Sequence, residues 1–153
     1  MKTLSAALAC LALLGCASDR GAKLLEPELE LVQIVGPAEA MYPSGRFDVQ
    51  YGLRIGNRSG EAITLRRVQL ETIGAGGPYR IPRDQYYVQQ TIEPSRFADV
   101  TFWVHAVATG SRYSIDAQAP VTIRGTAYFD APSGAFRKVF VVNLSQVDRG
   151  RVE

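Results

Sequence analysis

The positions Phe47, Val49, Tyr51, Leu53 and Ile55 alternate with Asp48, Gln50, Gly52, Arg54 and Gly56 over ten residues. A strict period of two puts one set of side chains on a core and the other toward water, which predicts a half-buried strand over 47–56. Asn57-Arg58-Ser59-Gly60 supplies turn chemistry, because Asn and Gly tolerate backbone angles that other residues avoid. The next run changes phase: Ile63 and Leu65 fall on one parity, Val68 and Leu70 on the other, and the shift lies on Arg66-Arg67. An extra residue in the ladder does this, so a bulge is expected there.

The same pattern continues along the chain. Strands are expected over 29–35, before Gly36-Pro37; over 86–92, before Glu93-Pro94-Ser95; and over 97–105, with Val100, Phe102 and Val104 on one face. Val121, Ile123, Gly125, Ala127 and Phe129 alternate with polar partners, and after Ala131-Pro132-Ser133-Gly134 the chain returns from Phe136 to Leu144 as a hairpin. No stretch of about ten residues has a helical period, although 106–119 has room for one short helical turn. The prediction is all-β: a two-sheet sandwich of immunoglobulin or fibronectin III kind with about seven strands, a closed barrel being the alternative.

The first residues break the pattern. Met1-Lys2-Thr3 is a positive start and positions 4–14 form an eleven-residue apolar run, the length of an export signal and too short to span a bilayer. Residues 1–15 are therefore expected as a signal peptide, 16–27 as a modified cysteine with a flexible tether, 28–147 as the sandwich and 148–153 as a charged tail. The run ends in Leu13-Leu14-Gly15-Cys16, which resembles the lipobox of bacterial lipoproteins. That resemblance implies a lipid on the sulfur of Cys16, removal of the preceding peptide, and palmitate or a similar acyl chain on the new amino group. Each buried methylene of such chains contributes roughly 0.8 kcal/mol, so two or three chains hold the protein firmly on a membrane. Ala17, where an Asp often signals inner-membrane retention, implies an outer-membrane location facing the periplasm.

Three further places resemble the water-stress (WHy) domain of late-embryogenesis-abundant proteins: the strand ending in Asn57 followed by Ile63-Thr64-Leu65, Ile92-Glu93-Pro94-Ser95 leading into Val100-Thr101-Phe102, and the hairpin from Val121-Thr122-Ile123-Arg124-Gly125 to Gly134. The family's turn is Asn-Pro-Asn, whereas this chain has Asn57-Arg58-Ser59. The resemblance implies a role in envelope stress and carries no catalytic residue across.

Composition narrows the chemistry. At 153 residues, 46% hydrophobic and 21% charged, the chain has the makeup of one globular domain. Seventeen basic against fifteen acidic residues leave +2 with no basic block, which argues against a nucleic-acid partner. One His and two Cys, Cys10 and Cys16, are too few for a zinc, haem or iron-sulfur site, so no cofactor and no metal are expected. Gly74-Ala75-Gly76-Gly77-Pro78 lacks the Lys and the Ser or Thr of a phosphate cradle and is expected to be a flexible turn. His105 is expected on a polar strand face rather than in a triad, and no enzyme is predicted. Glu26, Glu28 and Glu30 alternate as solvated charges guarding an edge strand. The sequons at Asn57 and Asn143 are chance in a bacterial export context.

Trp103 is the one residue inviting a binding role, since alternation turns it away from Val100, Phe102 and Val104. With Tyr128, Arg54 and the tyrosines Tyr86, Tyr87 and Tyr113 it is a candidate platform for another envelope protein or for a glycan such as peptidoglycan. The competing expectation is structural: Trp103 lies across Gly52 and stacks on Arg54, covering bare backbone. The leading function is a non-enzymatic, lipid-anchored interaction or envelope-stress module, and glycan binding is the alternative.

Overall fold

The structure is a computed structural model, and it describes residues 25–36, 45–74, 77–109 and 120–144. The signal peptide, Cys16, most of the tether, Tyr113, the charged tail and positions 110–119 of the expected helical turn lie outside the described residues.

Eight strands form two antiparallel four-stranded sheets: β1 (Glu28–Val35), β2 (Arg46–Gly56), β6 (Phe97–Ala108) and β4 (Tyr79–Arg80) in one, and β5 (Asp84–Ile92), β3 (Ile63–Thr72), β7 (Val121–Ala131) and β8 (Gly134–Leu144) in the other. The chain is all-β and the fold is a two-sheet sandwich. The hairpins β1–β2 and β7–β8 each stay within one sheet, whereas every connection from β2 to β7 crosses between sheets. The partners β2 and β6, and β3 and β7, are therefore brought together from distant parts of the sequence.

Alternation explains which faces meet. Val49, Tyr51, Leu53 and Ile55 of β2 point inward with Phe102, Val104 and Ala106 of β6; Leu65, Val68, Val121, Ile123, Ala127 and Phe129 meet them from the second sheet. Two ring stacks tie the layers and the hairpin, Tyr86 on Phe102 at 5.3 Å and Phe129 on Phe136 at 5.2 Å. Gly125 is also inward, and a Cβ there would stand 2.1 Å from the Phe140 ring, so the ring lies directly on bare backbone.

The bulge falls where the phase change places it. Leu65 faces Phe129 and Arg67 faces Tyr128, so two steps along β3 match one along β7, and the same two steps match three along β5, from Gln90 to Tyr87. The extra residue buries both Leu65 and Val68 and turns the adjacent Arg66 and Arg67 to the outer face together.

The sandwich is as expected, and one detail of it is corrected. The described residues hold eight strands, one more than alternation displays, since the two-residue β4 between Gly77-Pro78 and Pro82 is too short to show a period. The Asn57 turn works through its amide rather than through unusual backbone angles, as Asn57 and Gly60 do not have positive φ. Asn57 is buried; its Nδ2 donates to the carbonyls of Glu61 at 2.8 Å and Ile92 at 2.9 Å, and its Oδ1 accepts from the Ser59 amide and hydroxyl. Its backbone bonds Arg96 and Ser95, both at 2.9 Å, so one side chain and its peptide join the ends of β2 and β5 to the turn that opens β6. Among the described residues, the non-glycine residue with left-handed backbone is Ser95 in that same turn, φ 58°.

Leu53 is fully buried between the sheets. Leu53→Ala is expected to lower unfolding free energy by about 2–5 kcal/mol, read by equilibrium denaturation beside the parent protein.

Candidate functional surfaces

A sandwich leaves two outer faces for chemistry, and the sequence candidates divide between them. Trp103 and Arg54 lie on the outer face of the β1-β2-β6-β4 sheet; Tyr128 lies on the outer face of the other sheet, with the core between. The three residues do not share one surface. Of the other tyrosines, Tyr87 is outward and 82% exposed on β5, while Tyr86 points inward onto Phe102.

Trp103 is turned outward as alternation requires and is 53% exposed. It stands directly opposite Gln50 on β2, while Gly52 is opposite Thr101. The space above Gly52 is filled from β1: a Cβ there would meet Ile34 at 3.1 Å and Val32 at 3.3 Å. The expectation that Trp103 covers Gly52 is thereby corrected, since β1 on the far side of β2 supplies two branched side chains that reach the gap first. Nor is Arg54 beneath the indole. Its guanidinium lies 5.3 Å from the centre of the Phe97 ring, and its Nε is 4.0 Å from Asp99. Phe97 in turn covers Gly56, where a Cβ would meet the ring at 2.7 Å. The outer face of this sheet therefore carries exposed Val32, Phe97 and Trp103 with charged pairs between them.

His105 follows Trp103 by two residues on the same face. Its Nδ1 lies 2.5 Å from Asp48 Oδ1 directly across the ladder, and both side chains are more than half exposed. An exposed pair of this kind contributes little to stability. Behind this face the Tyr86 hydroxyl donates to Asp84 Oδ2 at 3.1 Å. Burial first, and then the neighbouring Asp84 carboxylate, push the Tyr86 hydroxyl well above the usual tyrosine range, so it stays protonated at the seam between β5 and β6.

Two of the three glutamates have basic partners of their own, and Glu30 is exposed. Glu28 accepts from Arg58 at 2.6 Å and Glu26 pairs with Lys138 of β8 at 3.3 Å. Among the described residues no three His, Cys, Asp or Glu side chains converge on a metal-sized site.

The other outer face holds a row that sequence alternation did not assemble: Tyr87 of β5, Arg67 of β3, Tyr128 of β7 and Arg137 of β8 are consecutive cross-strand partners. The Arg67 guanidinium lies over the Tyr128 ring at 4.0 Å, close enough for a cation–π contact. The signal for this row was the bulge, which turns Arg67 outward, but the neighbours required the non-local strand order.

No protein-family model matches this chain, and no curated protein matches it. Its backbone is similar to solved structures. A structural-genomics target, SoR45, aligns with TM-score 0.50 at 16% identity over 84% of this chain and 91% of that one. A protein from Archaeoglobus fulgidus aligns with TM-score 0.50 at 6% identity over 76% and 91%. At these identities the likeness is one of fold.

With Gly52 covered by β1, Trp103 carries little of the fold. Trp103→Ala is expected to change unfolding free energy by less than about 1 kcal/mol. A loss as large as that of Leu53→Ala in the same denaturation series would contradict this placement of the indole.

Proposed function

We propose that this protein is a lipid-anchored module of the bacterial envelope that docks another envelope protein through the outer face of the β1-β2-β6-β4 sheet. Its chemistry is recognition rather than catalysis. The observation that carries the docking surface is the single tryptophan of the chain, half-exposed on a sheet face that also exposes Val32 and Phe97. Large aromatic side chains of this kind concentrate binding energy at protein interfaces, and solvent exposure of an indole without a covering role is otherwise a cost.

The anchor is supported by the sequence alone: an eleven-residue apolar run after a positive start, then Leu13-Leu14-Gly15-Cys16. Acyl chains on Cys16 would hold the sandwich at the membrane, and the segment up to Glu28 would set its distance from the surface. At about 3.3–3.6 Å per residue, that eleven- or twelve-residue segment reaches roughly 35–40 Å when extended. Ala17 favours the outer membrane, facing the periplasm, on the lipoprotein sorting pattern. A part in envelope stress is supported by the three WHy-like strand and turn segments.

Metabolic labelling tests the anchor. Cys16→Ser is expected to abolish incorporation of labelled palmitate and to leave an unprocessed precursor, while the parent is labelled and shortened. Palmitate incorporation into the Ser variant would contradict the lipid attachment.

A further inference from the structure

The outer face of the second sheet contains a cleft of about 470 Å³ lined by Arg66, Arg67, Tyr87, Tyr128, Asp130 and Phe136, among others. It exists because of the bulge in β3. Without the extra residue Arg66 and Arg67 would point to opposite faces; with it, two adjacent guanidinium groups stand on the same side of the sheet. Bulges that re-aim side chains in this way are enriched beside functional sites.

The charges in the cleft do not cancel. Arg66 Nε is 3.1 Å from Asp130, the one carboxylate among the lining residues. Arg67 donates from Nη1 to the uncharged Gln85 at 3.0 Å and rests on the Tyr128 ring, so its positive charge is positioned but not neutralised by these contacts. Arg137 adds a further exposed cation beside Tyr128. A guanidinium fixed in this way is pre-organised for a bidentate anion.

The rings give the site its second property. Tyr87 is 82% exposed, beside Arg67 in the ladder, and Tyr128 is the neighbour on the other side. Two strand spacings separate these tyrosines, about 9.5 Å; the Arg67 guanidinium lies on the Tyr128 ring and leaves Tyr87 as the open one. An open ring beside a fixed cation suits a ligand that joins an apolar ring face to an acidic group. The cleft is open and its uncompensated charge is small, which suits an acidic sugar better than a nucleic-acid strand, whose binding draws on many phosphate contacts.

We propose that the Tyr87–Arg67–Tyr128 row is a binding site for an anionic glycan, a sugar ring bearing a carboxylate or a phosphate. The acidic group sits on the Arg67 guanidinium, with Arg66 beside it, and a sugar ring stacks on Tyr87. The site is on the opposite side of the sandwich from Trp103 and rests neither on the lipid anchor nor on the docking face proposed above.

Calorimetric titration of the full chain in detergent tests the assignment with four probes: muramic-acid fragments of peptidoglycan, a bisphosphorylated glucosamine disaccharide, neutral chitin oligomers and an oligothymidylate. Binding of the first or the second is expected, and which of them binds identifies the acidic group as a carboxylate or a phosphate. That binding should weaken with added salt. It should weaken by about tenfold or more in Tyr87→Ala and in Arg67→Gln, and should be unchanged in Trp103→Ala. Tyr87 is so exposed that its loss leaves the core intact. The proposal is overturned if neither acidic sugar binds, if chitin oligomers bind as well as the acidic ones, if the oligothymidylate binds more tightly than both, or if Tyr87→Ala and Arg67→Gln both bind like the parent.

Discussion

Burial of one face of each sheet against the other is the constraint on which the rest of this structure depends. The inward positions of β2, β3, β6 and β7 that are dry carry apolar or aromatic side chains, apart from Gly125 under the Phe140 ring, and the two-residue period then assigns their neighbours to the outer faces. What the strands offer to a partner lies on those outer faces or along the edges. The two faces look in opposite directions, so the indole of Trp103 and the phenol of Tyr128 cannot close on one small ligand. The architecture itself separates the face proposed to dock a protein from the face proposed to bind an acidic sugar.

The same constraint explains the local departures from regular structure. A phase error in β3 would leave either Leu65 or Val68 outside; the bulge restores both to the core and, as a by-product, places Arg66 and Arg67 together outside. Glycines create gaps that neighbouring strands fill: Phe140 lies on Gly125 within the core, Val32 and Ile34 lie on Gly52 outside, and Phe97 lies on Gly56. At the end of β2 the demand is polar rather than apolar. Asn57 is buried there with its amide fully engaged, so the turn chemistry of the Asn57-Arg58-Ser59 segment becomes a clasp between β2 and the turn joining β5 to β6.

Much of this was legible in the sequence. Strand positions, the hairpin, the Arg66-Arg67 bulge and the outward orientation of Trp103 all follow from period two, which is a property of neighbouring residues. What stayed hidden was which strands lie side by side. Trp103 was expected over Gly52 because β6 pairs with β2, and it does; the residue that decides the matter is on β1, across the sheet, and no local pattern shows that Ile34 reaches the gap. Tyr87, Arg67 and Tyr128 are far apart in the chain and become a row only through the order β5-β3-β7. The short β4 was invisible for the opposite reason: two residues are too few to display a period at all.

The central claim is that the outer faces recognise partners while the core merely holds them in place, and footprinting addresses it directly. Hydroxyl-radical labelling of Trp103 and Tyr87 is to be compared between intact cell envelopes and the purified protein. The account predicts that both residues, exposed at 53% and 82% in the isolated chain, lose reactivity in the envelope. Equal labelling of both residues in the two preparations would contradict it.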